Sequence, residues 1–415
     1  MELKRAVITG IGTINPLGNS IEEYFENLIK GVSGADLITR FDATNYKTKF
    51  ACEVKNYDPN NYFDRKEVKK SDLYSQFGII AADQAVADSG LDLEKVNHDR
   101  AGVIWASGIG GIQTFTEEVK GYVENNFVPR FNPFFVPKMI ADICAGQISM
   151  KYGFRGPNYA TVSACASSTH AMIDAFNLIR LGKASVIVAG GSEAAVCEAG
   201  MGGFNASQAL STNNEHYKTA SRPFDKTRDG FVMGEGGAGL IIEEYEHAVA
   251  RGAKIYAEVV GGGMTADAYH LTAPHPEGLG AKNVMIITLE DAGLSAGDID
   301  YVNVHGTSTP IGDVAELKAV QAVFGEHAHK LCISSTKSMT GHLLGAAGAL
   351  EALACICAMQ KSMIPPTINF EFEDPEIDYS LNLTLNKTRQ HNVNYALSNT
   401  FGFGGHNASI ILKKA

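Results

Sequence analysis

A chain of 415 residues, 45% apolar and 20% charged, has length for about two or three domains and can bury a large core. Its formal charge of −11 argues against a general nucleic-acid surface, and no segment has the roughly 18 consecutive apolar residues of a membrane span. The seven cysteines are odd in number and spaced like neither a disulfide framework nor a zinc knuckle, which suits a reducing compartment. The apolar run after Met1 is too short for a signal-peptide core. The expectation is a soluble cytoplasmic protein with no nucleic-acid partner.

In chain order, residues 6–9 read as a strand. Gly10-Ile-Gly12-Thr-Ile-Asn15-Pro16 then opens like a dinucleotide fingerprint but lacks the third glycine, and Pro16 stands where the helix should continue. The basic run Arg65, Lys66, Lys69 and Lys70 reads either as a solvated helix face or as a docking patch for an acidic partner. A helix over 76–89 and a strand over 101–106 follow, then Gly108-Ile-Gly110-Gly111, again an incomplete fingerprint. The β-prone residues 159–162 lead into Cys165 and a helix over 168–181. Strands are predicted over 184–189, 239–243, 256–260, 301–305 and 408–412, and helices over 280–292, 314–324 and 345–360. The stretch 362–376, with Pro365-Pro366, reads as an extended connection. The alternation predicts an α/β fold with buried sheets.

An internal echo supports two related halves. Asp88-Ser-Gly-Leu91 precedes an apolar strand ending in Ala106-Ser-Gly108, and Asp291-Ala-Gly-Leu294 precedes one ending in Val304-His-Gly306. Cys165 precedes one alanine-rich helix and Gly341-His342 another, in the same order. The halves divide near residue 255: 1–255 carries the cysteine and 256–415 the two histidines. The helix over 345–360 is apolar nearly all round, which predicts burial between two sheets and a partner for Glu351.

Three residues carry the chemistry. Cys165, in Thr161-Val-Ser-Ala-Cys165, lies at a strand-to-helix turn, where the helix end is expected to lower the thiol pKa. His305, in Val302-Asn-Val-His305-Gly-Thr307-Ser-Thr309-Pro, follows an apolar strand. His342, in Ser335-Thr-Lys337-Ser-Met-Thr-Gly341-His342, precedes the apolar helix. A thiolate can hold an acyl group as a thioester, and two imidazoles can hydrogen-bond the enolate left when a second acyl thioester loses carbon dioxide. That inventory fits a decarboxylating carbon–carbon condensation with no metal and no organic cofactor. Lys337, if buried, could pair with Glu351 and fix the histidines' hydrogen bonding. The turn Asn399-Thr-Phe401-Gly-Phe403-Gly-Gly405-His406 could bring backbone N–H groups to an oxyanion.

These pieces, with Phe134-Phe-Val-Pro137, Arg155-Gly-Pro157, Ser221-Arg-Pro-Phe-Asp225 and Asp229-Gly-Phe-Val232, closely resemble the β-ketoacyl-acyl carrier protein synthases of the type II elongating kind, over nearly the whole chain. The resemblance implies the thiolase fold, with two similar halves in a five-layer αβαβα arrangement, and a homodimer. It implies an acyltransferase of fatty acid biosynthesis that works on acyl and malonyl groups carried on the phosphopantetheine arm of an acyl carrier protein. Cys165 would take the acyl chain, His305 and His342 would serve malonyl decarboxylation, and Lys337 and Glu351 would be the supporting charged pair. The N–H groups of Cys165 and Phe403 would form the oxyanion hole, with Phe403 also the gatekeeper. Thr307 and Thr309 match positions on the phosphopantetheine arm; Ile109, Gly200, Phe204 and Phe401 match positions around the substrate. Phe135 matches a dimer-interface position near the end of the acyl pocket. Arg65, Lys66, Lys69, Lys70 and Arg130 match the carrier-docking surface. The chain departs from the pattern at His406, where threonine is common, and at Gln208, where a docking arginine is used.

A thiolase would need a second cysteine in the C-terminal half, and Cys332, Cys355 and Cys357 lie in no comparable glycine turn. A polyketide ketosynthase would share the catalytic residues. A non-catalytic partner subunit would lack the nucleophile.

Overall fold

The computed structural model describes residues 3–415. Ten strands form one continuous sheet: β1 Ala6–Ile14, β2 Ala101–Ala106, β3 Asn158–Tyr159, β4 Val186–Glu193, β5 Gly236–Glu244, β6 Ala257–Ala266, β7 Tyr301–Asn303, β8 Cys332–Ser334, β9 Tyr395–Gly402 and β10 His406–Lys414. Their spatial order is β8-β7-β9-β10-β6-β1-β5-β4-β2-β3.

The order contains one topology twice. β1 runs antiparallel to β5 and β5 to β4, while β4, β2 and β3 are parallel. In the other set β6 runs antiparallel to β10 and β10 to β9, while β9, β7 and β8 are parallel. The two sets join where Ala6–Ile8 of β1 pairs with Ala257–Val259 of β6.

Five helices build the layers: α1 Leu73–Ser89, α2 Ser167–Arg180, α3 Leu279–Ala292, α4 Pro310–Phe324 and α5 Ala347–Lys361. α2 and α5 lie in the middle, each packed on strands of both sets. α1 covers β1, β4 and β5 from outside, α3 covers β6 and β10, and α4 packs on α3. This is the five-layer thiolase arrangement. Leu344–Lys361 is long and apolar enough to cross a membrane, but it is the core helix, 89% buried. Leu350, Leu353, Ile356 and Met359 are buried there, each contributing about 1.5–3 kcal/mol.

Local signals set the element ends. Asp72 caps α1 by accepting from the Tyr74 N–H, and Gly90 ends it at φ 60. Gly293 ends α3 in the same left-handed conformation, φ 64. The paired turns also repeat: a short 3-10 turn, Ala164–Ala166, leads into α2, and another, Leu344–Ala346, leads into α5. Their first residues, Ala164 (φ 51) and Leu344 (φ 47), share a left-handed backbone rare outside glycine.

Three strands escape the apolar-run reading. β3 and β8 are short, and β9 carries Ser398, Asn399 and Thr400, all buried. Two of these polar groups find partners inside the core: Thr400 donates to Thr169 Oγ1 (2.8 Å), and Asn399 accepts from the Ser409 hydroxyl (2.9 Å), while the Ser398 hydroxyl has none. A buried strand that carries polar side chains shows no hydrophobic period. The strand predicted over 301–305 stops at Asn303; Val304 stays in the core and His305 lines the site.

Candidate active site

Each reactive side chain is aimed by backbone contacts from another element. Cys165 sits second in the 3-10 turn before α2. The hairpin between β9 and β10 crosses that turn so closely that a Cβ on Gly402 would lie 3.0 Å from the Cys165 nitrogen and 2.8 Å from the Ser163 carbonyl oxygen. His305 follows β7; its N–H and that of Gly306 donate to the two oxygens of Glu316, on α4, at 2.8 Å each. The His342 N–H donates to the Val232 carbonyl (2.8 Å), and the Gly234 N–H donates to the His342 carbonyl (2.9 Å).

The three meet. Cys165 Sγ and a ring nitrogen from each histidine lie within 4.8 Å of one another, and all three residues are buried. The imidazoles are nearly perpendicular, with centroids 5.2 Å apart; His342 also packs edge-on against Phe231, and His305 lies tilted against Phe401. In front of them opens a cavity of about 500 Å³. It is lined by Ile109, Phe204, Thr307, Thr309, Phe401 and Phe403, all expected at the site, and by Gln208. Gly200 and Phe135 do not line it. A side chain on Gly200 would strike the Ala195 carbonyl at 2.1 Å, and Phe135 stacks on Phe131 at the surface.

Lys337 and Glu351 form a buried ion pair behind this cluster. Burial and the Lys337 charge both hold His305 and His342 well below the ordinary histidine value, so the rings are neutral near pH 7. Burial pushes Glu351 up to about 7, against the pull of Lys337.

The expected lowering of the Cys165 pKa is not met. Burial pushes the thiol up to about 12, outweighing Lys337 and the Phe403 backbone N–H, which favour the thiolate. A helix end stabilises a thiolate only where solvent does not have to be stripped from it first. Cys165 is therefore a thiol at rest.

Three contributors lie outside the sequence reading. Glu316 shares its helix with Asp313, Lys318 and Gln321, so no local pattern marks it as one marks Glu351. Glu193 closes the apolar strand β4 and accepts from Ser107 Oγ, the Gly108 and Ile109 N–H groups and the Gly345 N–H. Phe231 walls His342; it lies within the Asp229-Gly-Phe-Val232 motif, which by itself assigns it no role. The unusual His406 is exposed on the hairpin. Its nearest consequence is on His170, whose ring meets the Ser163 hydroxyl at 2.6 Å and is pushed down to about 4, first by burial and then by His406. The basic residues Arg65, Lys66, Lys69 and Lys70 lie exposed on the helix Arg65–Lys70, away from the cavity lining, as does Arg130.

Comparisons with known proteins place the chain in a family. Residues 4–248 match the N-terminal domain of β-ketoacyl synthases and residues 256–371 the C-terminal domain. The 3-oxoacyl-acyl-carrier-protein synthase 2 of Staphylococcus aureus is 47% identical over 411 residues, 99% of this chain and 98% of that protein. A β-ketoacyl synthase from Burkholderia phymatum superimposes with a TM-score of 0.92 at 35% identity, covering 99% of this chain and 100% of that one. A type II polyketide ketosynthase in complex with its acyl-carrier protein superimposes with a TM-score of 0.92 at 31% identity, covering 100% of both chains. With both domains matched and the identity extending over the whole length, this chain belongs to the β-ketoacyl synthase family.

Proposed function

We propose that this enzyme performs the decarboxylating condensation of an acyl group on Cys165 with malonyl-acyl carrier protein, giving 3-oxoacyl-acyl carrier protein in fatty acid elongation. The observation that carries the reading is the convergence of Cys165, His305 and His342 at the wall of a cavity lined mostly by apolar residues. A neutral imidazole takes the thiol proton as Cys165 attacks the incoming thioester and passes it to the carrier thiolate as that leaves, since the thiol does not ionise at rest. The N–H groups of Cys165 and Phe403 face the tetrahedral oxyanion. After malonyl-carrier protein binds, the N–H groups of His305 and His342 stabilise the enolate oxygen as carbon dioxide leaves. The enolate carbon then attacks the Cys165 thioester and the thiolate departs. Burial, and then the charge of Lys337 paired with Glu351, keep both rings neutral and so able to donate. Phe403, on a glycine hairpin, is the gate for malonyl, with Phe401 beside it.

Thr307 and Thr309 are assigned to the phosphopantetheine arm, and Ile109 and Phe204, which line the cavity, to the acyl chain. Arg65, Lys66, Lys69, Lys70 and Arg130 are assigned to carrier docking. The chain is read as two halves, 1–255 and 256–415, and as a homodimer. Exposed aromatic and aliphatic side chains at Phe115, Phe127, Phe131, Phe134 and Val136 flank Phe135, and a monomer rarely leaves so many together in water. The seven free cysteines suit a reducing cytoplasm.

Intact-protein mass spectrometry after acyl-carrier protein, then malonyl-carrier protein, tests the reading. Acylation of Cys165 followed by an elongated carrier-bound product is expected. In Cys165→Ala acylation is lost while malonyl decarboxylation persists; a stable acyl adduct on that variant overturns the nucleophile assignment.

A further inference from the structure

The cluster that carries the chemistry is also a metal-ligand set. Cys165 Sγ and one nitrogen from each of His305 and His342 lie within 4.8 Å of one another. Nδ1 of His305 and both ring nitrogens of His342 have no hydrogen-bond partner in the protein. A thiolate and two imidazoles form a soft, nitrogen–sulfur donor set of the kind that selects zinc over magnesium or calcium, which take oxygen ligands.

We propose that the unacylated enzyme binds Zn²⁺ reversibly through Cys165, His305 and His342, with the fourth tetrahedral position open to the cavity, and is inhibited by it. Zinc bonds of about 2.0–2.3 Å require the donors to stand roughly 3.3–3.7 Å apart. The required closure is on the order of 1 Å, reached by side-chain rotation into the cavity. On binding, the Cys165 thiol gives its proton to solvent, two imidazole lone pairs complete the bonds and no electron moves. Lys337, although paired with Glu351, still disfavours positive charge at these rings and so weakens the metal's hold further.

Two properties follow. The histidine nitrogens lack the carboxylate or carbonyl partners that normally orient zinc ligands, a loss worth about 10–100-fold in affinity, so the metal comes and goes. A thioester sulfur has no thiolate to offer, so acylation and zinc exclude each other.

The test uses the full-length enzyme and Co²⁺ as a spectroscopic stand-in, and it does not depend on the condensation assay. Co²⁺ is expected to give thiolate charge-transfer and tetrahedral ligand-field bands that Zn²⁺ abolishes and Mg²⁺ does not. Zn²⁺ is expected to slow iodoacetamide alkylation of Cys165 more than tenfold, with a chelator restoring it. Cys165→Ser is expected to lose the charge-transfer band, and His342→Ala to weaken Co²⁺ binding at least tenfold. Enzyme previously acylated on Cys165 needs no substitution and is expected to give no band. A band of equal strength on the acylated enzyme, or one that survives in Cys165→Ser, places the metal elsewhere and overturns the proposal. A condensation assay that fails while these bands appear refutes the proposed reaction and leaves the zinc site standing.

Discussion

Asp88 and Asp291 do the same thing in opposite halves of the molecule. β1 carries an irregularity between Ile8 and Gly10, and β6 carries one where its pairing skips from Val259 to Gly261. Beyond each, a backbone N–H is given to an aspartate: Ile11 N–H to Asp88 Oδ2 and Gly262 N–H to Asp291 Oδ2, both at 2.9 Å. Each aspartate holds a second group, the Tyr256 hydroxyl at Asp88 and the Arg180 guanidinium at Asp291. The repeated carboxylate lets a kinked first strand stay satisfied where it leaves its neighbour.

Removing either aspartate leaves that N–H without its acceptor. Asp88→Ala and Asp291→Ala are each expected to cost about 1–3 kcal/mol in urea denaturation. With no shared partner, the double variant is expected to add within about 0.5 kcal/mol. Strong non-additivity would show that the halves are coupled through these bulges.

Glu193 binds the halves together at the acyl pocket. It holds Gly108 and Ile109 on one side and Gly345 on the other, at 2.7, 3.3 and 3.0 Å. The approach needs both glycines, because a Cβ on Gly345 would fall 2.2 Å from the Gly108 nitrogen. Burial pushes Glu193 up to about 7, against its hydrogen-bond donors. Its folded pKa exceeds its unfolded one, so its contribution to stability is full below about 4.3 and is lost as pH rises through about 7. Glu193→Gln cannot ionise. It is expected to cost about 1–3 kcal/mol at pH 5 through its misplaced amide N–H groups, and less at pH 8. Denaturation at the two pH values reads the sign. Acylation by long chains is expected to slow more than by short ones, as Ile109 loosens.

Much of this is legible in the sequence, for identifiable reasons. The Asp-x-Gly-Leu echo is visible because the helix end, the glycine cap and the carboxylate are all local and lie in one short stretch. Cys165, His305 and His342 stand out because each sits at a turn bearing small residues. Glu316 stays hidden, because it acts through the backbone of His305 and nothing beside it in sequence says so. β9 is hidden because it carries polar residues in the core, and the partner of Thr400, Thr169, lies far along the chain. The Cys165 pKa runs opposite to expectation because a helix end can be read from sequence, whereas the loss of solvent around it cannot.

The basic helix Arg65–Lys70 is capped by Asp64 and Glu67, which accept from each other's backbone N–H groups, so its charges are held on a rigid turn. Lys70 also lies over the Phe134 ring, 5.5 Å from its centroid. If an acidic carrier protein docks here, Lys66→Glu with Lys69→Glu reverses the attraction at exposed sites worth about 0.2–1 kcal/mol per pair. The expected result is about a tenfold rise in KM for carrier-bound substrate at low salt, shrinking as salt screens the charges. Substrate on a free pantetheine thioester is expected to react unchanged. An equal loss with both substrates would remove this helix from the docking surface.

Burial and the Lys337 charge together set the acid limit of the reaction. Both histidines are held well below the ordinary value, first by burial and then by the Lys337 charge. Their neutral state therefore contributes stability above about 6.5 that is lost as pH falls. Lys337→Met takes away one of the two causes and leaves Glu351 buried without a partner, which is expected to cost about 3–5 kcal/mol. The imidazole pKa values then rise, and malonyl decarboxylation fails at a higher pH than in the parent enzyme. On the acid limb the neutral fraction of an imidazole drops steeply with pH, so the variant is expected to fall about tenfold further below its own plateau than the parent does at the same acid pH. Lys337→Met combined with Glu351→Leu removes both charges, so it is expected to recover stability while keeping the altered acid limb. A double variant with the parent's pH profile would show that burial alone keeps the rings neutral and that Lys337 serves only to satisfy Glu351.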